Sequence, residues 1–359
     1  MWNPLSIIKH LASPACILWL GLSGCTHTSG LTEPSGESAD VAYTVIYYIH
    51  ADSDYLFHDP DQVPVRANRH VLQSALETAE EARSGEVFIY YQLPEKRMLG
   101  LFPRRNSLLY HYVDGQLTAQ IAYRHPDRRE EFLTTAAQLY HHIRNHSRNG
   151  DQSFYFLFFG HEIPRDEGTN YHRTMPGMQV NTQTVARGIR SFLEADGQRF
   201  DLIVLSTCNN GTPEMAHHLM PFTNALLASP QNLHLSHIDP RSISMLESHP
   251  ASSSLHIARS MANNTFQRLS ESLQIAVTLT LYDFEHVRNY HDELYSLIEA
   301  NEAAGRVKHF RENTDCAQFS FFNPEKFKPG VETWFSPARF GRSNAVNHHS
   351  GWGCRPLDQ

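Results

Sequence analysis

Two apolar runs joined by one amphipathic segment constrain this chain more than any other feature. Phe154-Tyr-Phe-Leu-Phe-Phe159 leads through Gly160 into His161, and Leu202-Ile-Val-Leu205 leads through Ser206-Thr207 into Cys208. Each run has the length and aromatic or β-branched content of a buried strand. Between them, Val185, Ile189, Phe192 and Leu193 recur at helical spacing, with Asn181 or Thr182 as N-cap and Gly197 just past the end. A strand–helix–strand unit of this length makes a parallel pair with a right-handed crossover. Neighbouring strands lie about 4.8 Å apart, so His161 and Cys208 are expected side by side at the carboxyl edge, where open α/β sheets bind ligands. Beyond Cys208, Asn209-Asn210-Gly211 reads as a turn. Thr212, Pro213 and Glu214 then supply an N-cap, a first-turn proline and an early acidic residue for the next helix.

A cysteine closing an apolar strand is commonly a small buried hydrophobe. A histidine placed likewise one crossover earlier, at 161 against 208, is not something core packing requires. The pair suits a thiol nucleophile served by an imidazole. At this point the chain resembles the clostripain-like cysteine peptidases of caspase-type fold. That family carries a strand ending in His-Gly, a helix, and a strand ending Asp-Ala-Cys that leads into a helix with an early Glu. The matching residues are His161, Cys208 and Glu214. Tyr43-Thr-Val-Ile-Tyr-Tyr-Ile-His-Ala-Asp52 looks like the family's opening strand, and Thr278-Leu-Thr-Leu-Tyr-Asp-Phe284 like a later strand and turn, so the resemblance covers roughly residues 41 to 290.

The resemblance implies a caspase-like α/β/α sandwich with a mostly parallel sheet. It implies a cysteine endopeptidase in which Cys208 is nucleophile and His161 general acid/base, with the backbone N–H groups of Glu162 and Cys208 holding the oxyanion. No cofactor and no third triad member is expected. Glu162 replaces the family's glycine after the histidine. Ser206 replaces its aspartate two before the cysteine, so the preference for basic P1 residues does not carry over. Asp52 and Asp54, after the first strand, are the candidates to border the specificity pocket instead. Both departures suit an alternative: a catalytically inactive caspase-like lipoprotein that binds a peptide or envelope partner.

With 359 residues, 41% hydrophobic content and a formal charge of −8, the chain suits one large α/β domain and lacks the basic surface of a nucleic-acid binder. Its 23 histidines prompt a search for metal sites. His142 and His146 stand four apart on an expected helix, but no acidic or thiol partner has matching spacing, so they read as a solvated face. His161-Glu162 begins like a zincin motif, and Arg165 stands where its second histidine belongs. No metal is expected.

At the amino end, Lys9 precedes an apolar stretch from Leu11 to Leu22 that is too short to span a bilayer. Leu22-Ser-Gly-Cys25 resembles a bacterial lipobox. That implies a signal peptide over 1–24, lipidation of Cys25, a Ser/Thr/Gly/Glu-rich tether over 25–40 and a peptidase domain over 41–359. Thr26 in place of Asp favours the outer membrane by the same resemblance. With Cys16 removed, Cys25 lipidated and Cys208 kept for chemistry, Cys316 and Cys354 remain as a disulfide pair in an oxidising compartment.

The remaining pattern gives a strand at 43–49, a helix around 69–84 and a strand at 86–92. A hairpin of 108–113 and 117–123 turns about Asp114-Gly115. A helix follows over about 128–148. After the cysteine come a helix over about 213–227, a short strand at 233–238 and a helix over about 255–274. The C-terminal tail reads as irregular structure wrapped on the core.

Overall fold

The computed structural model describes residues 41–354 apart from 54, 96, 99–101, 104–105, 125–130, 145–151, 166–170, 176, 195–196, 250–251, 306–315, 317–318 and 339–348. The expected signal, the tether, Cys25, Asp54 and His146 therefore lie outside the described residues.

Nine described strands form one sheet: β1 (Tyr43–His50), β2 (Gly85–Gln92), β3 (Ser107–Val113), β4 (Gln116–Tyr123), β5 (Ser153–Phe159), β6 (Leu202–Ser206), β7 (Ala225–Ala228), β8 (Val277–Asp283) and β9 (Val331–Ser336). Their spatial order is β9-β8-β7-β6-β5-β1-β2-β3-β4. The central five, β7-β6-β5-β1-β2, are mutually parallel, and an antiparallel pair flanks them on each side. Strand order reverses between β1 and β5. One arm grows from β1 through β2, the other from β5 through β6 and β7.

Because successive strand residues face opposite ways, each central strand serves two cores. Phe154, Phe156 and Phe158 of β5 join Ile203 and Leu205 of β6 on one face. There they meet Ala137 and Tyr140 of α2 (Thr134–Ile143), Val185 and Ile189 of α3 (Thr182–Arg190), Met215 and Leu219 of α4 (Pro213–Leu219) and, across the long final helix, Val287 and Leu294. Tyr155, Leu157, Phe159, Leu202 and Val204 point the other way, onto Val71 and Ala75 of α1 (Ala67–Glu81) and Ile257 and Met261 of α5 (Ser254–Gln267). The result is the expected α/β/α sandwich.

Local signals placed several elements well. Asn181 caps α3 with a reciprocal capping box to Thr184. Asp114 and Gly115 both adopt positive φ, 51° and 71°, as a tight hairpin turn between right-twisted strands requires.

Other expectations are corrected. The helix after Cys208 stops at Leu219, and Pro221 sits in a single 3-10 turn before β7. Residues 225–228 form a strand because the edge of β6 offers them a parallel ladder and both faces are apolar: Leu226 enters one core and Leu227 the other. The segment 233–238 is loop, since β8 already occupies the far edge of β7. Residues 131–133 are not helical, and Leu133 takes a positive φ of 72° immediately before α2. The sequence reading lacked the twenty-residue helix α6 (Phe284–Ala303). The tail is not wholly irregular either, because 331–336 extends the sheet as β9.

The end of the tail is anchored in the core. Trp352 is fully buried and donates from Nε1 to Phe327 O at 2.7 Å, while Tyr282 Oη lies 2.5 Å from Gly351 O and 2.9 Å from Gly211 O. Cys316 and Cys354 are disulfide-bonded, with Cα atoms 5.1 Å apart and 38 residues of separation. A cross-link closing a loop of that length restricts the unfolded chain by about 4 kcal/mol on the chain-entropy model. Replacing both cysteines by serine is expected to lower unfolding free energy by about 2–4 kcal/mol, measured by urea denaturation, with Cys208 the only thiol titratable in the native wild-type domain.

Candidate active site

Cys208 and His161 occupy equivalent places on adjacent parallel strands. Phe159 of β5 pairs in register with Ser206 of β6, and each candidate lies two residues further on. The last backbone bond of the ladder runs from Gly160 N to Ser206 O at 3.4 Å, after which the strands open into their loops.

Asn210 holds those two loops together. Its Oδ1 accepts from Ile163 N at 2.9 Å and from Thr207 Oγ1 at 2.6 Å, and its Nδ2 donates to Ile163 O at 3.0 Å. Both Asn210 and Ile163 are buried, so these bonds satisfy backbone groups that have no water to turn to. Asn209 supports the turn with φ of 52°, which asparagine tolerates better than most residues. Gly211 follows, where a Cβ would stand 2.7 Å from Pro230 N, so only glycine lets the turn approach the loop after β7. Outside this clamp, Arg165 pairs with Glu214 at 2.6 Å and with Glu302 at 2.6 Å, and Thr182 Oγ1 donates to Glu214 Oε1 at 2.7 Å. Glu214 thus ties the histidine loop to the helix that follows the cysteine.

The Cys208 sulfur is half-buried and faces the loop after β7. Leu233 N donates to Sγ at 3.3 Å, and Leu233 O lies 3.5 Å away. The N–H favours a sulfur carrying negative charge, whereas the carbonyl favours the protonated thiol. His161 is half-buried, packed edge-on to Tyr55 with ring centroids 4.8 Å apart, and Tyr171 Oη donates to its carbonyl at 3.4 Å. Burial lowers the imidazole pKa, and the charge of Asp52 works in the opposite direction. A neutral imidazole at physiological pH can accept a proton. Among the described residues no hydrogen bond engages the backbone N–H of Glu162, whose exposed carboxylate instead accepts from Asn209 Nδ2 at 2.8 Å.

The two described pocket candidates, Asp52 and Ser206, are buried and hydrogen-bonded. Asp52 is 2% exposed, and its carboxylate accepts from Thr174 Oγ1 at 2.8 Å, from Thr174 N at 3.3 Å and from Arg173 N. A buried carboxylate shared among three donors anchors a loop rather than walling an open pocket. Ser206 is fully buried, its Oγ accepting from Ile238 N at 2.8 Å. Neither side chain is presented to an open cleft.

The sequence placed Asn210 in a turn, His50 in the opening strand and Arg165 at the missing zincin position, and gave none of them, nor His172 or His237, a part in the site; the partners of Asn210 and His50 are 47 and 122 residues distant. Among the described residues two groups could supply metal ligands: His50, Asp52 and His172, all buried, and His217, His291 and Asp292, of which only His291 is buried.

His237 packs behind Ser206, with Nδ1 3.1 Å from Ser206 O, so this nitrogen carries the proton. Complete burial pushes its pKa down from 6.5 to about 4; the bond to Ser206 works upward, and the charge of His161 reinforces the fall. In the unfolded chain the imidazole takes a proton below about pH 6.5, while the folded form stays neutral. The stability conferred by burying it is therefore full above pH 6.5 and is lost as pH falls towards 4, by up to about 3 kcal/mol. His237 has φ of 61°, so His237→Asn preserves the backbone. This variant is expected to flatten the decline of the urea midpoint between pH 6.5 and 4 by about one proton's worth.

No protein-family model matches the chain, and no curated protein matches it. Solved structures do. The secreted C11 cysteine protease of Bacteroides thetaiotaomicron called iotapain aligns at TM-score 0.56 and 12% identity, covering 88% of this chain and 93% of its own. An inactive zymogen C11 protease from Parabacteroides distasonis aligns at 0.55 and 13%, covering 90% and 94%. A secreted C11 protease from Bacteroides thetaiotaomicron in complex with an irreversible peptide inhibitor aligns at 0.53 and 12%, covering 83% and 85%. At such identities the likeness is one of fold, and in fold this chain is similar to the clostripain-like, or C11, cysteine proteases.

Proposed function

We propose that this chain is a cysteine endopeptidase of the clostripain-like type, with Cys208 as nucleophile and His161 as general acid/base. The register-equivalent placement of the two residues past β5 and β6 carries this reading, and the C11 protease fold supports it. His161 takes the Cys208 thiol proton as the sulfur attacks the scissile carbonyl, and the oxyanion rests on the backbone N–H groups of Glu162 and Cys208. His161 protonates the departing amine, then activates the water that hydrolyses the thioester. A peptide is the matching ligand, as the inhibitor held by one of the similar proteases suggests. Removing either residue from such a unit costs at least about a thousandfold in rate. Hydrolysis of casein or a peptide library by the wild type, with Cys208→Ala and His161→Ala each reduced at least that far, is the expected result. Equal rates in all three would defeat the assignment.

One observation favours a second reading, an inactive caspase-like lipoprotein that binds peptide without cleaving it. Glu162 places a carboxylate against Asn209, beside the nucleophile, where it opposes a developing oxyanion. Under that reading the wild type itself is inert while peptide still binds.

We place the mature chain on the bacterial envelope, anchored through a lipid on Cys25 at the outer membrane. The lipobox-like Leu22-Ser-Gly-Cys25 supports this. Metabolic palmitate labelling is expected in the wild type and absent from Cys25→Ser, which moves to the soluble fraction; membrane association unchanged by the mutation would refute the anchor.

A further inference from the structure

We propose that His50, Asp52 and His172 bind one divalent transition-metal ion of the zinc class, which pins the loop 171–175 to the end of β1. The site stands apart from the peptidase reading and does not depend on it.

The position is one where the fold invites a ligand. Strand order reverses between β1 and β5, and a doubly wound sheet leaves a crevice outside the carboxyl ends at such a point. His50 ends β1, Asp52 follows it, and His172 arrives from the loop between β5 and α3. The three are 2%, 2% and 0% exposed, and one ligand atom from each lies within 4.8 Å of the others.

The chemistry selects the ion. His50 Nε2 and His172 Nδ1 share a hydrogen bond at 2.9 Å with their rings at 72°, so both nitrogens face one point and a metal ion would take the place of the shared proton. In a tetrahedral zinc site with bonds of about 2.0–2.1 Å, ligand atoms stand about 3.3 Å apart, a separation this pair reaches by a shift of a few tenths of an ångström. Two imidazoles and one carboxylate suit zinc and its neighbours; calcium and magnesium demand oxygen. Three protein ligands, with water in the fourth position, is the ligand count of zinc sites that keep one coordination place open.

Electrostatics points the same way. Among the described residues no lysine or arginine forms an ion pair with Asp52; its contacts are neutral donors. A buried carboxylate is costly unless a cation or a full set of donors meets it, and a divalent ion would supply the missing charge. The three donors to Asp52 leave one of about four lone-pair sites for a metal and orient the carboxylate as outer-shell bonds do in metalloproteins. Phe132 lies 6.2 Å from the His50 ring and 5.6 Å from the His172 ring, and Tyr171 stacks on His50 at 4.7 Å, giving the polar centre an apolar jacket. Tyr171 also donates to the His161 carbonyl, so an ion here would brace the loop that steadies the candidate base. The competing group is poorer: Asp292 has a side chain 90% exposed, so water already meets its charge.

The test uses the full-length chain carrying Cys16→Ser, Cys25→Ser and Cys208→Ser, so that no free thiolate can ligate, stripped by chelation and titrated with Co²⁺ as a spectroscopic probe against competing Zn²⁺. The expected result is about one equivalent of Co²⁺ with visible d–d bands, displaced by Zn²⁺ and bound at least about a hundredfold more weakly after His172→Gln. Thr174→Ala, which removes only an outer bond, is expected to weaken binding about tenfold with unchanged circular dichroism. His291→Gln is expected to leave binding intact. Absence of stoichiometric uptake by the chain carrying these three Cys→Ser substitutions overturns the proposal whatever the variants do. So does uptake that survives His172→Gln or is abolished by His161→Ala. The readout is binding, so loss of peptidase activity neither supports nor defeats it.

Discussion

The arrangement of this molecule depends on β5 lying parallel between β1 and β6. Its backbone is hydrogen-bonded on both edges and its side chains are buried on both faces, with Phe154, Phe156 and Phe158 in one core and Tyr155, Leu157 and Phe159 in the other. Parallel strands need crossovers, crossovers supply helices, and two apolar faces need helices on both sides. The parallel ladder also sends every carboxyl end to one edge. The residues that follow β1, β5 and β6, among them Asp52, His161 and Cys208, are therefore neighbours although they are far apart in the chain.

Beyond the ladder, order is maintained by polar side chains satisfying loop backbone. Asn210 holds the segment around Ile163, Asp52 holds residues 173 and 174, and Ser206 holds Ile238. Each is a buried group whose removal would orphan at least one backbone N–H, and an unmet buried polar group costs about 1–3 kcal/mol. These polar groups hold the loops of the candidate site in place. Glu214 acts in the same way: its carboxylate is held by Arg165 and Thr182, so it serves as a brace behind the turn that follows Cys208.

Much of the local structure was legible in the chain. The strands before His161 and Cys208, the capped helix between them and the Asp114-Gly115 turn followed from spacing and from residues whose conformational preferences are strong. Reading failed where a segment's conformation depended on what lay beside it. Residues 225–228 are apolar enough for a helix or a strand, and the open edge of β6 decided for strand; residues 233–238 had strand-like composition but met no open edge. Val331–Ser336 joined the sheet for the same reason, against a tail read as irregular.

The sequence by itself determined the α/β class of the fold and the placement of His161 and Cys208 just past adjacent parallel strands. Both rest on information confined to some fifty consecutive residues: hydrophobic period, caps and a crossover whose hand is set by backbone chirality. Tertiary structure alone decided what surrounds that pair. It buried Asp52 and Ser206, turned the Cys208 sulfur towards Leu233, and gathered His50, Asp52 and His172 into one cluster. Such contacts join residues 25 to 122 positions apart, and no local pattern records which distant loop will reach which strand end.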